Sequence, residues 1–117
     1  MVETIVEDLL EAAKHLSAQC NKKVPALLKH KDVAHVTNPL DYAWELHEQF
    51  IRKWGGFGAK TLLLGMNPGP YGMAQTGVPF GATKMATDVL GMEPVELQTP
   101  AGAHPKRPIQ EIGRAHV

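Results

Sequence analysis

Thr61-Leu62-Leu63-Leu64-Gly65-Met66-Asn67-Pro68-Gly69-Pro70-Tyr71-Gly72-Met73-Ala74-Gln75-Thr76-Gly77-Val78-Pro79-Phe80-Gly81 joins a short apolar run to a loop dense in glycine and proline. The run from Thr61 to Leu64 has no polar/apolar alternation, the pattern of a strand covered on both faces in a parallel sheet. A loop leaving the carboxyl end of such a strand lies where open α/β sheets hold their ligands. Glycines at 65, 69, 72, 77 and 81 allow a close backbone approach or a positive φ, while Pro68, Pro70 and Pro79 remove donors and stiffen the path. From Leu64 to Gly81 the polar side chains are Asn67, Tyr71, Gln75 and Thr76, and none is charged. Chemistry at this loop must therefore work through positioning and hydrogen bonding, with no carboxylate base of its own.

Upstream, Val2, Ile5, Val6, Leu9, Leu10, Ala13, Leu16 and Cys20 recur at helical spacing, with Glu3, Glu7, Asp8, Glu11 and Lys14 on the other side. This predicts an amphipathic helix that breaks between Asn21 and Pro25. Asp32 to Thr37 reads as a strand or an extended approach. Asn38 then offers an N-cap, Pro39 suits the first helical position and Asp41 places negative charge in the first turn. A helix is expected to about Trp54, ended by Gly55-Gly56. Downstream, Met85, Ala86, Val89 and Leu90 predict a short helix stopped by Gly91, followed from Glu93 to Pro108 by a long connection.

The 117 residues, 44% of them hydrophobic, suit one small globular domain. A single cysteine, Cys20, excludes an internal disulfide and reads as a helix-face residue of a reducing compartment. No apolar run has the length of a membrane span and the N-terminus lacks the order of a secretory signal, so a soluble, intracellular protein is expected. Formal net charge is zero, so any contact with nucleic acid must come from local basic groups. His15, His30, His35 and His47 lack metal-ligand spacing and read as surface histidines. Trp44 and Trp54, on a helical pattern, read as packing anchors.

The segment from Gly65 to Gly81 closely resembles the first active-site motif of the single-strand-selective monofunctional uracil-DNA glycosylases. Two flanking blocks are also similar to that family: Asn38-Pro39-Leu40-Asp41-Tyr42-Ala43-Trp44-Glu45 and His104-Pro105-Lys106-Arg107-Pro108-Ile109. Tyr71 stands where the family usually has phenylalanine, and Ala82 where it usually has an acidic residue. The resemblance implies a three-layer α/β/α sandwich with a central parallel sheet, incomplete in this chain. Residues 1–110 would be the N-terminal part of one glycosylase domain, because the family continues to a base-reading asparagine and a leaving-group histidine not found here. Residues 111–117, Glu111 to Val117, read as a non-native tail, since GAGATCGGAAGAGCACACGTC would encode them and resembles a sequencing-adapter read.

The activity implied is hydrolysis of the N-glycosidic bond of uracil, and of oxidised 5-substituted uracils, in single- and double-stranded DNA. It implies water as nucleophile, no metal or other cofactor, uracil-containing DNA as partner, no membrane, a monomer when complete, and a nuclear location in a eukaryote or a cytoplasmic one in a bacterium. The resemblance carries the water-positioning role onto Asn67, a backbone base contact onto Met66, the aromatic platform onto Phe80, and the shaping of the pyrimidine edge onto Gly69 and Met73. An amide takes no proton at neutral pH, so Asn67 orients water without acting as a base. Stacking on Phe80 is worth about 1–3 kcal/mol, which offsets much of a flipping cost of a few kcal/mol. His104, Lys106 and Arg107 read as a solvated loop or, more sharply, as phosphate contacts. With half of the implied machinery elsewhere, this chain alone is expected to be inactive. The alternative is a nucleotide- or nucleic-acid-binding α/β module without catalysis, because a glycine-rich loop can hold phosphate without chemistry; no Gly-Lys-Ser/Thr follows to make it a P-loop.

Overall fold

The amphipathic N-terminal pattern forms α1, Val2–Leu28, in a computed structural model that describes residues 2–93, 95, 97, 99–100 and 102–103. The expected break between Asn21 and Pro25 does not occur, because α1 carries Pro25 within it. Proline removes its own N–H bond and crowds the carbonyl four residues back, on Asn21, which belongs to an exposed residue where water can reach it. Val6 and Leu10 face inward and meet Ile51, with Ala13, Trp44 and Phe50 packed around them.

The single helix expected from Asn38 to Trp54 is instead two, α2 (Pro39–Tyr42) and α3 (Trp44–Trp54). Asn38 is the N-cap as its sequence position implies: its side chain accepts from Leu40 N at 3.1 Å. Its amide nitrogen donates back to Ser17 Oγ at 3.0 Å and the Ser17 carbonyl at 3.1 Å, tying the α2 entrance to α1. The interruption falls at Ala43, with φ −108° and ψ 26°, where Gly77 comes so close that a Cβ there would lie 2.9 Å from Ala43 Cβ. Gly55 ends α3, as expected.

A second apolar cluster holds Leu46, Val78, Ala86 and Met92, with Phe50, Leu90, Val95 and Leu97 against it. Residues Met85–Val89 form a π-helical turn, marked by Leu90 N donating to Met85 O at 2.9 Å, and Gly91 leaves it at φ 67°. Trp54 Nε1 donates to Leu90 O at 3.0 Å and Lys53 Nζ to Gly91 O at 2.8 Å, so the end of α3 holds the end of this turn.

The expected α/β/α sandwich with its central parallel sheet is overturned: no strand occurs among the described residues, and all their regular structure is helical. Thr61 to Leu64 is without regular structure, and the other candidate strand, Asp32 to Thr37, is a turn residue at 32 followed by residues without regular structure. A strand satisfies its N–H and C=O groups only on a neighbouring strand, and a parallel neighbour needs a crossover of a dozen or more residues. Helices close their own hydrogen bonds and so form where strands find no partner. Leu62, Leu63 and Leu64 are accordingly 84%, 70% and 88% exposed. No helix among the described residues is long and apolar enough to cross a membrane.

Candidate functional site

The loop after residue 64 is anchored at its middle by α4, Met73–Thr76, whose C-cap is Gly77 at φ 71°. That positive φ favours glycine, and the close approach to Ala43 and to the Pro39 carbonyl leaves no room for a side chain. Two residues of the preceding helices reach across to the same place. Tyr42 Oη donates to the Ala74 carbonyl, and His47 Nδ1 lies 2.7 Å from the Gly77 carbonyl. A carbonyl only accepts, so Nδ1 carries the proton.

His47 is therefore buried under the loop, whereas its sequence had read as a surface histidine. Burial holds its imidazole below the usual 6.5, against the opposing effect of the Gly77 bond. Burial likewise pushes the Tyr42 phenol above its ordinary value, against a hydrogen bond with the Thr37 side chain. The signal for His47 was its spacing: it follows Ala43 by four residues and precedes Phe50 by three and Ile51 by four, on the apolar face of the pattern.

Beyond Gly77 the chain makes a four-residue turn, with Gly81 N donating to Val78 O at 2.9 Å. Pro79 holds the second position and Phe80 the third, with φ 56°, the arrangement of a type II turn in which glycine is the usual third residue. Phe80 thus sits in a left-handed conformation costing about 1–3 kcal/mol for a residue with a side chain. Phe80 is 61% exposed, and its ring lies beside Gly65, where a Cβ would be 3.4 Å from the ring's Cζ. That contact brings the apolar arm and the loop together.

Between them lies an open concavity of about 540 Å³, inside the ~300–1,000 Å³ range of small-molecule sites. Asn67, Met66, Gly69, Met73 and Phe80 all line it, together with Leu63, Leu64, Gly65, Pro68, Gly72 and Pro79. The five candidates read from the sequence are thus brought to one place. Met66 is 95% exposed, so its side chain covers little of the site. None of the lining residues is ionisable, so the concavity offers an aromatic face, apolar walls and one amide. His104, Lys106, Arg107 and the 111–117 segment lie outside the described residues. Among the described residues no three His, Cys, Asp or Glu side chains converge as a metal site.

Comparison with known proteins gives these residues a context. The chain is 42% identical over 106 residues to the single-strand selective monofunctional uracil DNA glycosylase of Mus musculus, a match covering 91% of this chain and 36% of that protein. It is 50% identical over 78 residues to the Bos taurus protein of the same name, covering 66% and 28% respectively. By sequence, the chain belongs to the single-strand selective monofunctional uracil-DNA glycosylase family. The Rattus norvegicus member matches at 38% identity over 109 residues, 93% of this chain. The chain spans 39% of that relative's length, so it corresponds to well under half of the family proteins it matches. No protein-family model matches the sequence.

Proposed function

We propose that the whole protein is a DNA-repair glycosylase that hydrolyses the N-glycosidic bond of uracil, and that residues 64–81 contribute the wall against which the flipped base rests. The observation that carries this reading is the convergence of Asn67, Met66, Gly69, Met73 and Phe80 on one concavity, in a chain similar to relatives that bear that name. A base must leave the DNA stack to reach such a site. Phe80 offers its exposed ring as a platform, and the adjoining apolar walls exclude water from the base. The Asn67 carboxamide orients a water toward the sugar carbon, while the bond breaks largely ahead of attack. A departing uracil anion then needs a preorganised donor, and among the lining residues the one side-chain amide, Asn67, is assigned to the water.

The reading therefore divides the labour: this chain captures the base, and release requires a leaving-group donor contributed elsewhere in the whole protein. Uracil in single- and double-stranded DNA is the proposed substrate, with oxidised 5-substituted uracils also accommodated, and neither metal nor redox cofactor takes part. The 117-residue chain should bind a uracil-containing single strand without releasing uracil, and the whole protein should release it, unaffected by chelators. Binding without release by the whole protein would replace this reading with a non-catalytic nucleic-acid-binding module.

A further inference from the structure

We propose that Thr76 is a positioning residue, whose hydroxyl holds Phe80 in its left-handed turn and so presents the ring to a planar pyrimidine. This rests on the reading of Phe80 as a base platform. Thr76 is fully buried, and its Oγ1 donates to the Gly81 carbonyl and accepts from Val78 N at 3.1 Å. The hydroxyl has one proton; the Gly72 carbonyl, at 3.4 Å, is the more distant acceptor. A single oxygen thus clasps both ends of the Val78–Gly81 turn, with Pro79 and Phe80 as its tip. The residues around the clasp are fixed independently, by His47 on Gly77 and by Tyr42 on Ala74.

The strain at Phe80 gives the clasp its purpose. A residue with a side chain leaves φ 56° unless its surroundings hold it there. Proline at 79 fixes the turn's first half, but nothing in its ring constrains the second. The hydroxyl does, because rotating the Phe80 backbone to an extended conformation swings the Gly81 carbonyl away from Oγ1. The same rotation would lift the ring from beside Gly65, opening the concavity on that side.

The test uses the 117-residue chain and compares wild type with Thr76→Val, which keeps the shape without the hydroxyl, and Thr76→Ser, which keeps the hydroxyl. Thr76→Ala is a second hydroxyl-free variant should valine prevent folding. Two quantities are read by NMR: the intraresidue amide-to-Hα NOE of Phe80, strong only at positive φ, and the affinity for a single strand bearing one uracil, with a thymine strand as control. Wild type and Thr76→Ser should show the strong NOE, whereas the hydroxyl-free variants should lose it and bind about tenfold more weakly, the effect of one lost buried hydrogen bond. A strong NOE and unchanged affinity in the hydroxyl-free variants would overturn the proposal, as would a Thr76→Ser variant that behaves like them. If no variant binds the uracil strand but the NOE still follows the hydroxyl, the clasp stands and the base-platform reading falls.

Discussion

Two sets of aliphatic side chains end in opposite environments. On α3, Leu46 and Ile51 are buried among Val6, Leu10, Val78 and Ala86, whereas Leu62, Leu63 and Leu64 lie open to solvent a few residues downstream. Hydrophobicity alone does not distinguish them. The difference is that a helix completes its backbone hydrogen bonds within its own segment, so its side chains need only a surface to rest on. An extended segment needs a backbone partner first. The loop between the two regions takes its order from the helices, through His47, Tyr42 and Ala43, and its ligand-sized hollow from the arm.

The contrast is broken most directly by the same substitution on each side. Leu46→Ala should cost about 2–5 kcal/mol in urea unfolding, as a fully buried leucine does. Gly77→Ala should come next, at about 1–3 kcal/mol, because it forces a Cβ toward Ala43 at φ 71°; an unchanged midpoint would mean the loop is not seated on α2 and α3.

The pH response comes third. His47 has a lowered folded-state pKa, through burial, so the unfolded chain binds its proton first as pH falls. Its contribution to stability is complete above the unfolded value near 6.5, falls as pH drops toward the folded value and is flat below that. His47→Gln should remove this component from a series of melts across that window, and an identical pH profile would show the imidazole to be solvated. Leu63→Ala should have the smallest effect, within about 0.5 kcal/mol of wild type. Replacing Leu62, Leu63 and Leu64 together by serine should still reduce self-association in sedimentation velocity, because it removes an exposed apolar arm. A large loss of stability at Leu63 would erase the distinction between the two regions.

Local signals were legible where local chemistry decides structure. Asn38 and Pro39 mark a helix start, Gly55 a helix end and Gly91 the end of a turn, each through a conformational or capping preference of its own. The sheet was misread because Thr61 to Leu64 carries the composition of a buried strand but not its neighbours. The break at Ala43 was invisible, since it comes from Gly77, 34 residues away, whereas the burial of His47 was marked by its helical spacing and only its partner, the Gly77 carbonyl, was not. Of the site, the lining residues were visible as one contiguous loop, while the supports beneath it were not. Thr76 is an intermediate case: its polarity stood out in an uncharged loop, but its two hydrogen-bond partners are set by a turn that no single residue announces.

Position 80 also bears on how such a sequence can change over generations. Glycine would adopt φ 56° there without steric strain, so selection for stability alone pulls toward losing the aromatic ring. Only a requirement for the ring resists that pull. In lineages where the loop has lost its task, glycine should accumulate at this position while Gly77, which serves packing, stays fixed. A comparison of the two positions across descendants therefore separates copies still held by function from copies held only by folding.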